Sequence, residues 1–244
     1  MSASSIEIAD ISSSTIPPQL SGESRRQRWF EVGLVLLVAF GGAFLSAADL
    51  LHKGPAAAPQ MSNTRWAVGT IQEITALLLL GYVLSRRGLR LRNLGFSWRV
   101  RDVGVGFLVA GSCLAAYLLG SIVVHLLHYG IYGYAATGPS GRDFFAHPPL
   151  AAIPFFLLNP FFEEIIVRAY LMTEILELTG SAKAAVAASV LVQSSYHLYY
   201  GWAGAFSLSF IFLVLAIYFV RSRRVVPVIV AHALFDIAGF ISLL

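Results

Sequence analysis

The sequence predicts an all-α, polytopic transmembrane helical bundle of about seven spans. Three observations carry that expectation. The 244 residues are 57% hydrophobic and only 12% charged, whereas an ordinary soluble domain carries about 25% charge. Apolar runs near the roughly 20 residues that a span needs recur along the chain. Arginines concentrate at the ends of those runs, as membrane topology requires. Mean hydropathy is +0.73.

The N-terminal 1–24, rich in Ser, Pro and Ile without helical periodicity, reads as a disordered cytoplasmic tail. Arg25, Arg26 and Arg28 then precede Trp29 and a first span at about 29–51. Ser46-Ala47-Ala48 resembles a small-residue cleavage site, but the polar tail and the length of the run favour an uncleaved anchor. A loop with Pro55 and Pro59 leads to a second span, about 66–84, and to a basic stretch from Arg86 to Arg101. The third span, about 103–128, is rich in Gly and Ala and suited to close helix packing. Residues 129–148 form a Gly/Pro loop.

The fourth segment, about 149–178, is too long for one straight span. Pro160 is expected to kink it or to start a new helix. Gly180 marks its end, and further spans follow at about 181–200, 203–220 and 226–243. Residues 25–244 thus form one transmembrane domain. Arginine clusters at 25–28, 86–101 and 221–224 face alternate loops holding only Lys53, Arg65 and Arg142, which sets the N-terminus in the cytoplasm of a multi-pass cell-membrane protein. The net charge of +4 is therefore a topological signal, and no nucleic-acid partner is expected. Cys113, the single cysteine, excludes an intramolecular disulfide.

Polar residues that interrupt apolar helices carry the functional signal. Glu164 with Arg168, Gln193 with His197, and His232 with Asp236 are each spaced i to i+4, on one helix face. An ionisable group at the centre of a membrane helix costs about 2.5–3.5 kcal/mol on insertion scales. Glu163, adjacent to Glu164, points about 100° away and is the acid left unneutralised by Arg168. Such a carboxylate suits general acid/base work. Each pair alone also has a structural reading: Glu163 and Glu164 brace their helix through Arg168, His197 is an interfacial polar residue, and His232 with Asp236 glues helices together. Together, two imidazoles and several carboxylates on neighbouring helices can meet only inside the bundle, offering a base, donors for an oxyanion and metal ligands.

Two His plus one Glu is also a catalytic zinc set. A divalent metal such as Zn on Glu163, His197 and His232 therefore stays open, although the His-Glu-x-x-His spacing is absent. Glu73, beside Gln72 in the second span, is a candidate to face the bundle interior. His125 and His128 read as interfacial; Asp49, Asp102, Arg142 and His147 as loop or boundary residues; Glu174 and Glu177 as solvated at a helix end.

The run Glu163-Glu164-x-x-x-Arg168, then His197, then His232-x-x-x-Asp236 resembles the CAAX-processing and bacteriocin-immunity family of intramembrane endopeptidases, which includes type 2 CAAX prenyl proteases and lysostaphin-resistance-like domains. The resemblance covers roughly a third of the chain and implies a protease-like core at about 149–243. It implies that Glu163 activates a water with His197, and that His232 and Asp236 hold the oxyanion or contribute to a metal site. Glu164, Arg168 and Gln193 would support them. The implied partners are membrane lipid and a membrane-associated protein or peptide substrate. Two positions depart from the pattern: Gln193 stands where Phe is usual, and Asp236 where Asn is frequent. The alternative is a non-catalytic scaffold or immunity protein that binds a peptide. A proton-coupled transporter is disfavoured, since no matching pair of broken helices marks an inverted repeat.

Overall fold

The computed structural model describes residues 24–53, 61–133 and 150–243. The expected tail at 1–24, apart from Ser24, lies outside the described residues, as do Arg142 and His147. Among the described residues there is no strand, and seven helices follow one another. They are α1 (Arg25–Lys53), α2 (Asn63–Arg86), α3 (Arg101–Tyr132), a composite α4, α5 (Ala182–Tyr196), α6 (Gly201–Ser222) and α7 (Val226–Leu243). Helix α4 runs as α-helix over Ile153–Glu163, π-helix over Glu164–Met172, and α-helix again over Thr173–Thr179.

Among the described residues five helices are long and apolar enough to cross a membrane: α1, α2, α3, α4 and α6. The sequence led us to expect about seven spans. Helix α5 stops at Tyr196, where His197 caps it, so its 15 residues rise only about 22 Å against a hydrocarbon core of about 30 Å. Helix α7 is a shorter apolar helix. Pro160 does not start a new helix, because it sits inside the first α-helical piece of α4. Its carbonyl still accepts from the Glu164 N–H. The irregularity falls four residues later, in the π-helical stretch, all nine residues of which are buried.

Helix α3 packs against α6 and α7 through small residues, as its composition suggested. A Cβ on Gly106 would lie 2.5 Å from Val230 Cγ1, and one on Gly120 would lie 2.5 Å from Phe210 Cδ2. No side chain fits at either crossing. The opposite face of α3 shows Phe107, Leu108, Leu118, Leu119, Leu126 and Leu127 to the outside, as a lipid-facing surface would. The core centres on the π-helical stretch, with Ile166, Tyr170 and Met172 fully buried against Phe40, Leu80 and Phe219.

Ion pairs tie the arginine-rich end together. Arg28 holds Glu174 at 2.8 Å and Glu177 at 2.7 Å, and Arg87 holds Glu174 at 2.7 Å and also Glu31. Arg224 reaches Asp102 at 2.6 Å. Glu174 is therefore buried, at 2% exposure, rather than solvated as expected, and Asp102, a boundary residue in the first turn of α3, is buried at 1%. The same arginines clamp α1, α2 and α4 to one another, and the turn between α6 and α7 to α3.

Candidate active site

Glu163 closes the first α-helical piece of α4, and Glu164 opens the π-helical piece. The change of helical pitch occurs between two adjacent acids, and their surroundings diverge accordingly. Glu163 Oε2 accepts from the Gln193 side-chain amide at 2.7 Å and from the Tyr196 hydroxyl at 2.8 Å, both on α5. Its other oxygen, Oε1, is engaged by neither. Glu164 Oε1 accepts from Arg168 Nη1 at 3.2 Å and from His232 Nδ1 at 2.7 Å. Glu164 and Arg168 are both fully buried, and the Arg168 guanidinium lies over the Phe212 ring at 5.9 Å. The expected Glu164–Arg168 pair is present, with His232 as a third member that spacing could not show.

The histidines are oriented through their Nδ1 atoms. The carbonyl of Gln193 can only accept, so His197 Nδ1 carries the proton of their 2.9 Å hydrogen bond and Nε2 is left for other chemistry. The Gln193–His197 pair thus runs through the backbone, while the Gln193 side chain goes to Glu163. Tyr196, Tyr199, Tyr200 and Phe212 surround the His197 ring, with centroids 4.7, 5.7, 6.3 and 4.9 Å away. On α7, His232 Nδ1 donates to Glu164, and its Nε2 stands 3.5 Å from Asp236 Oδ1. Asp236 Oδ2 accepts from Asn159 Nδ2 at 3.1 Å.

All four residues expected to be catalytic, Glu163, His197, His232 and Asp236, line one cavity of about 870 Å³. Its walls are mainly apolar, with Phe155, Phe156 and Leu114 among them, a size and character suited to a ligand site. It reaches the end of the bundle where α1 finishes and α2 starts, through Leu50, Met61 and Arg65, and it includes Ser242 near the end of α7. That end is opposite the arginine clamps. Simple counting sets His197, Glu163 and His232 at different depths, yet the cavity gathers them.

Among the described residues no group of three or more His, Cys, Asp or Glu side chains is arranged to hold a metal ion. His232 has its Nδ1 on Glu164, which leaves Nε2 as its one nitrogen for another partner.

Two residues at the site, Tyr196 and Asn159, carried little or no signal in the sequence. For Tyr196, its position three residues after Gln193, on the same helix face, was the available clue. Asn159 lies one turn before Glu163, which gives the same kind of clue. Glu73 is buried and lines the cavity, as a residue facing the interior should.

Comparison with known families adds an independent observation. The model of the family described as type II CAAX prenyl endopeptidase Rce1-like matches residues 145–238. This segment is Rce1-like. It contains every residue of the motif run from Glu163 to Asp236, in agreement with the resemblance read from that run. The match covers less than half of the chain, leaving α1, α2 and α3 outside the Rce1-like segment. No curated protein and no solved structure gives a significant match. The apolar helices and the Rce1-like segment together mark a membrane protein.

Proposed function

We propose that the protein is an intramembrane endopeptidase that hydrolyses a peptide bond of a membrane-associated protein or peptide, using a water activated by Glu163. The observation that carries this reading is the meeting of Glu163, His197, His232 and Asp236 at one cavity inside the Rce1-like segment. Gln193 and Tyr196 hold Glu163 Oε2, so Oε1 is the oxygen that removes a proton from a cavity water. The water oxygen attacks the scissile carbonyl carbon, and the carbonyl electron pair moves onto its oxygen. His197, with Nε2 available, orients the water. His232, as imidazolium, donates from Nε2 to the oxyanion.

Collapse of the intermediate restores the carbonyl and breaks the C–N bond. The leaving nitrogen takes the proton that Glu163 had accepted, so one water is consumed and an acid and an amine are released. Gln193, Tyr196, Glu164, Arg168 and Asn159 are positioning residues in this scheme. Side chains alone supply its steps, and none runs through a metal.

The arginine distribution supports a cytoplasmic N-terminus. The cavity then opens on the opposite, non-cytoplasmic side, where an apolar or lipidated peptide end can slide in from the bilayer.

The test is cleavage of apolar peptides by purified protein in liposomes, followed by mass spectrometry. Wild type is expected to cleave, with activity retained after EDTA treatment. Glu163→Gln should abolish cleavage while leaving the melting temperature unchanged within a few degrees. Cleavage retained by Glu163→Gln overturns the assignment of the base. If cellular activity survives in both Glu163→Gln and His232→Ala, the protein works by binding a peptide, not by hydrolysis.

A further inference from the structure

Glu73 is a cavity acid that the proposed reaction does not use. It lies on α2, outside the Rce1-like segment, and is 3% exposed. The other acids at the wall have donors from the protein. Glu163 has Gln193 and Tyr196, and Asp236 has Asn159. Neither Oε1 nor Oε2 of Glu73 has a hydrogen-bond partner among the described residues. Neighbouring Gln72 is satisfied, its amide donating to the Ala39 carbonyl at 2.9 Å. Donors are thus supplied to one residue of the pair and withheld from the other.

A buried polar group without a partner is costly, and a buried charge more so. Such a group persists when something outside the fold completes it. The cavity indicates what that is. Its wall carries Glu73, Glu163 and Asp236, whereas its one arginine among the described residues, Arg65, is eight residues before Glu73 on α2. That separation is about 12 Å along the helix axis, towards the mouth. His232 is tied to Glu164. The interior therefore has an excess of acid within apolar walls. The complementary ligand is apolar over most of its length and bears a positive charge at one place.

We propose that Glu73 is a specificity-determining residue that receives a lysine or arginine side chain of the peptide occupying the cavity. This rests on the reading that the cavity admits a peptide, but not on which residue activates water. A site built to pair a charge rejects the ligand lacking it, because its own buried group is then left unpaired.

The experiment measures binding, in a Glu163→Gln background that keeps peptides intact, with the full chain in nanodiscs. The probes are fluorescent apolar peptides in which one lysine is moved through every position, each matched by a peptide with norleucine there. At least one lysine peptide is expected to bind about tenfold more tightly than its norleucine match. Adding Glu73→Gln should bring that pair to within about twofold, and Glu73→Lys should reverse the preference towards a glutamate peptide. Glu73→Leu should also melt at a higher temperature than the parent, since a buried group without a partner has been removed.

Absence of binding by every peptide, absence of a lysine preference, or a preference that survives Glu73→Gln overturns the proposal. So does a lower melting temperature for Glu73→Leu, which would make Glu73 a structural residue. Cleavage by Glu163→Gln would count against the assigned base and leave the lysine preference standing, so the two readings fail separately.

Discussion

Gln193 stands where the family resemblance leads one to expect phenylalanine, and its amide grips the carboxylate proposed to activate water. A phenylalanine could pack there but could not donate. In this chain the orientation of Glu163 therefore depends on two α5 side chains, Gln193 and Tyr196. A hydrogen bond to a charged group contributes about 1.5–3 kcal/mol. Gln193→Leu is accordingly expected to lower kcat/KM by about ten- to a hundredfold, mainly through kcat. Gln193→Glu should do worse, by facing one carboxylate with another. Steady-state kinetics on a cleaved peptide check both, and an unchanged kcat in Gln193→Leu would remove Gln193 from the positioning set. At this scale the sequence showed which residues were unusual but not whom they touched. The i to i+4 rule found Glu164 with Arg168 because both members lie on one helix. It could not find His232 on Glu164, or Gln193 on Glu163, because those bonds join helices 68 and 30 residues apart in the chain.

The elements that matter most are α4 and α3. In α4 the pitch changes between Glu163 and Glu164, sending one acid to α5 and the cavity and the other to Arg168 and α7. Short π-helical insertions in helices are rare and frequent at functional sites. Pro160 was the visible irregularity in the sequence, while the π-helical stretch has no comparable residue signature and stayed hidden. The end of α5 was also hidden, because apolar composition continues through Leu198, Tyr199 and Tyr200. The packing of α3 was legible, since glycine and alanine can mark a close crossing. Gly106→Leu should destabilise the fold by about 1–3 kcal/mol through overpacking against Val230. Gly104→Leu, with nothing within 4 Å of its Cβ, should melt close to wild type. Equal melting temperatures for the two variants in detergent would contradict the α3–α7 crossing.

At the scale of the whole molecule, charge separates the two ends. Arginine clamps fill one end, and the cavity reaches the other. The arginines drew the topology expectation from the sequence, while the ion pairs they form were not legible there. Glu31, Asp102 and Glu174 complete the clamps from distant positions in the chain, with Glu174 joined to Arg28 across 146 residues. The proposed orientation makes a prediction about access. With a membrane-impermeant maleimide on intact cells, Thr64→Cys near the mouth should label, and Ser97→Cys at the arginine end should label only after lysis. The native Cys113 is buried and should not interfere. The reverse pattern would place the mouth in the cytoplasm and change the class of peptide that can reach Glu163.

An experimental structure of Glu163→Gln with an uncleaved peptide bound tests the central claim most directly. We expect the scissile carbonyl carbon beside position 163, its oxygen towards His232 Nε2, and the chain of the peptide running through the cavity to its mouth. A peptide bound on the outer surface of the bundle, or seated in the cavity with its carbonyl turned away from both residues, would contradict the account.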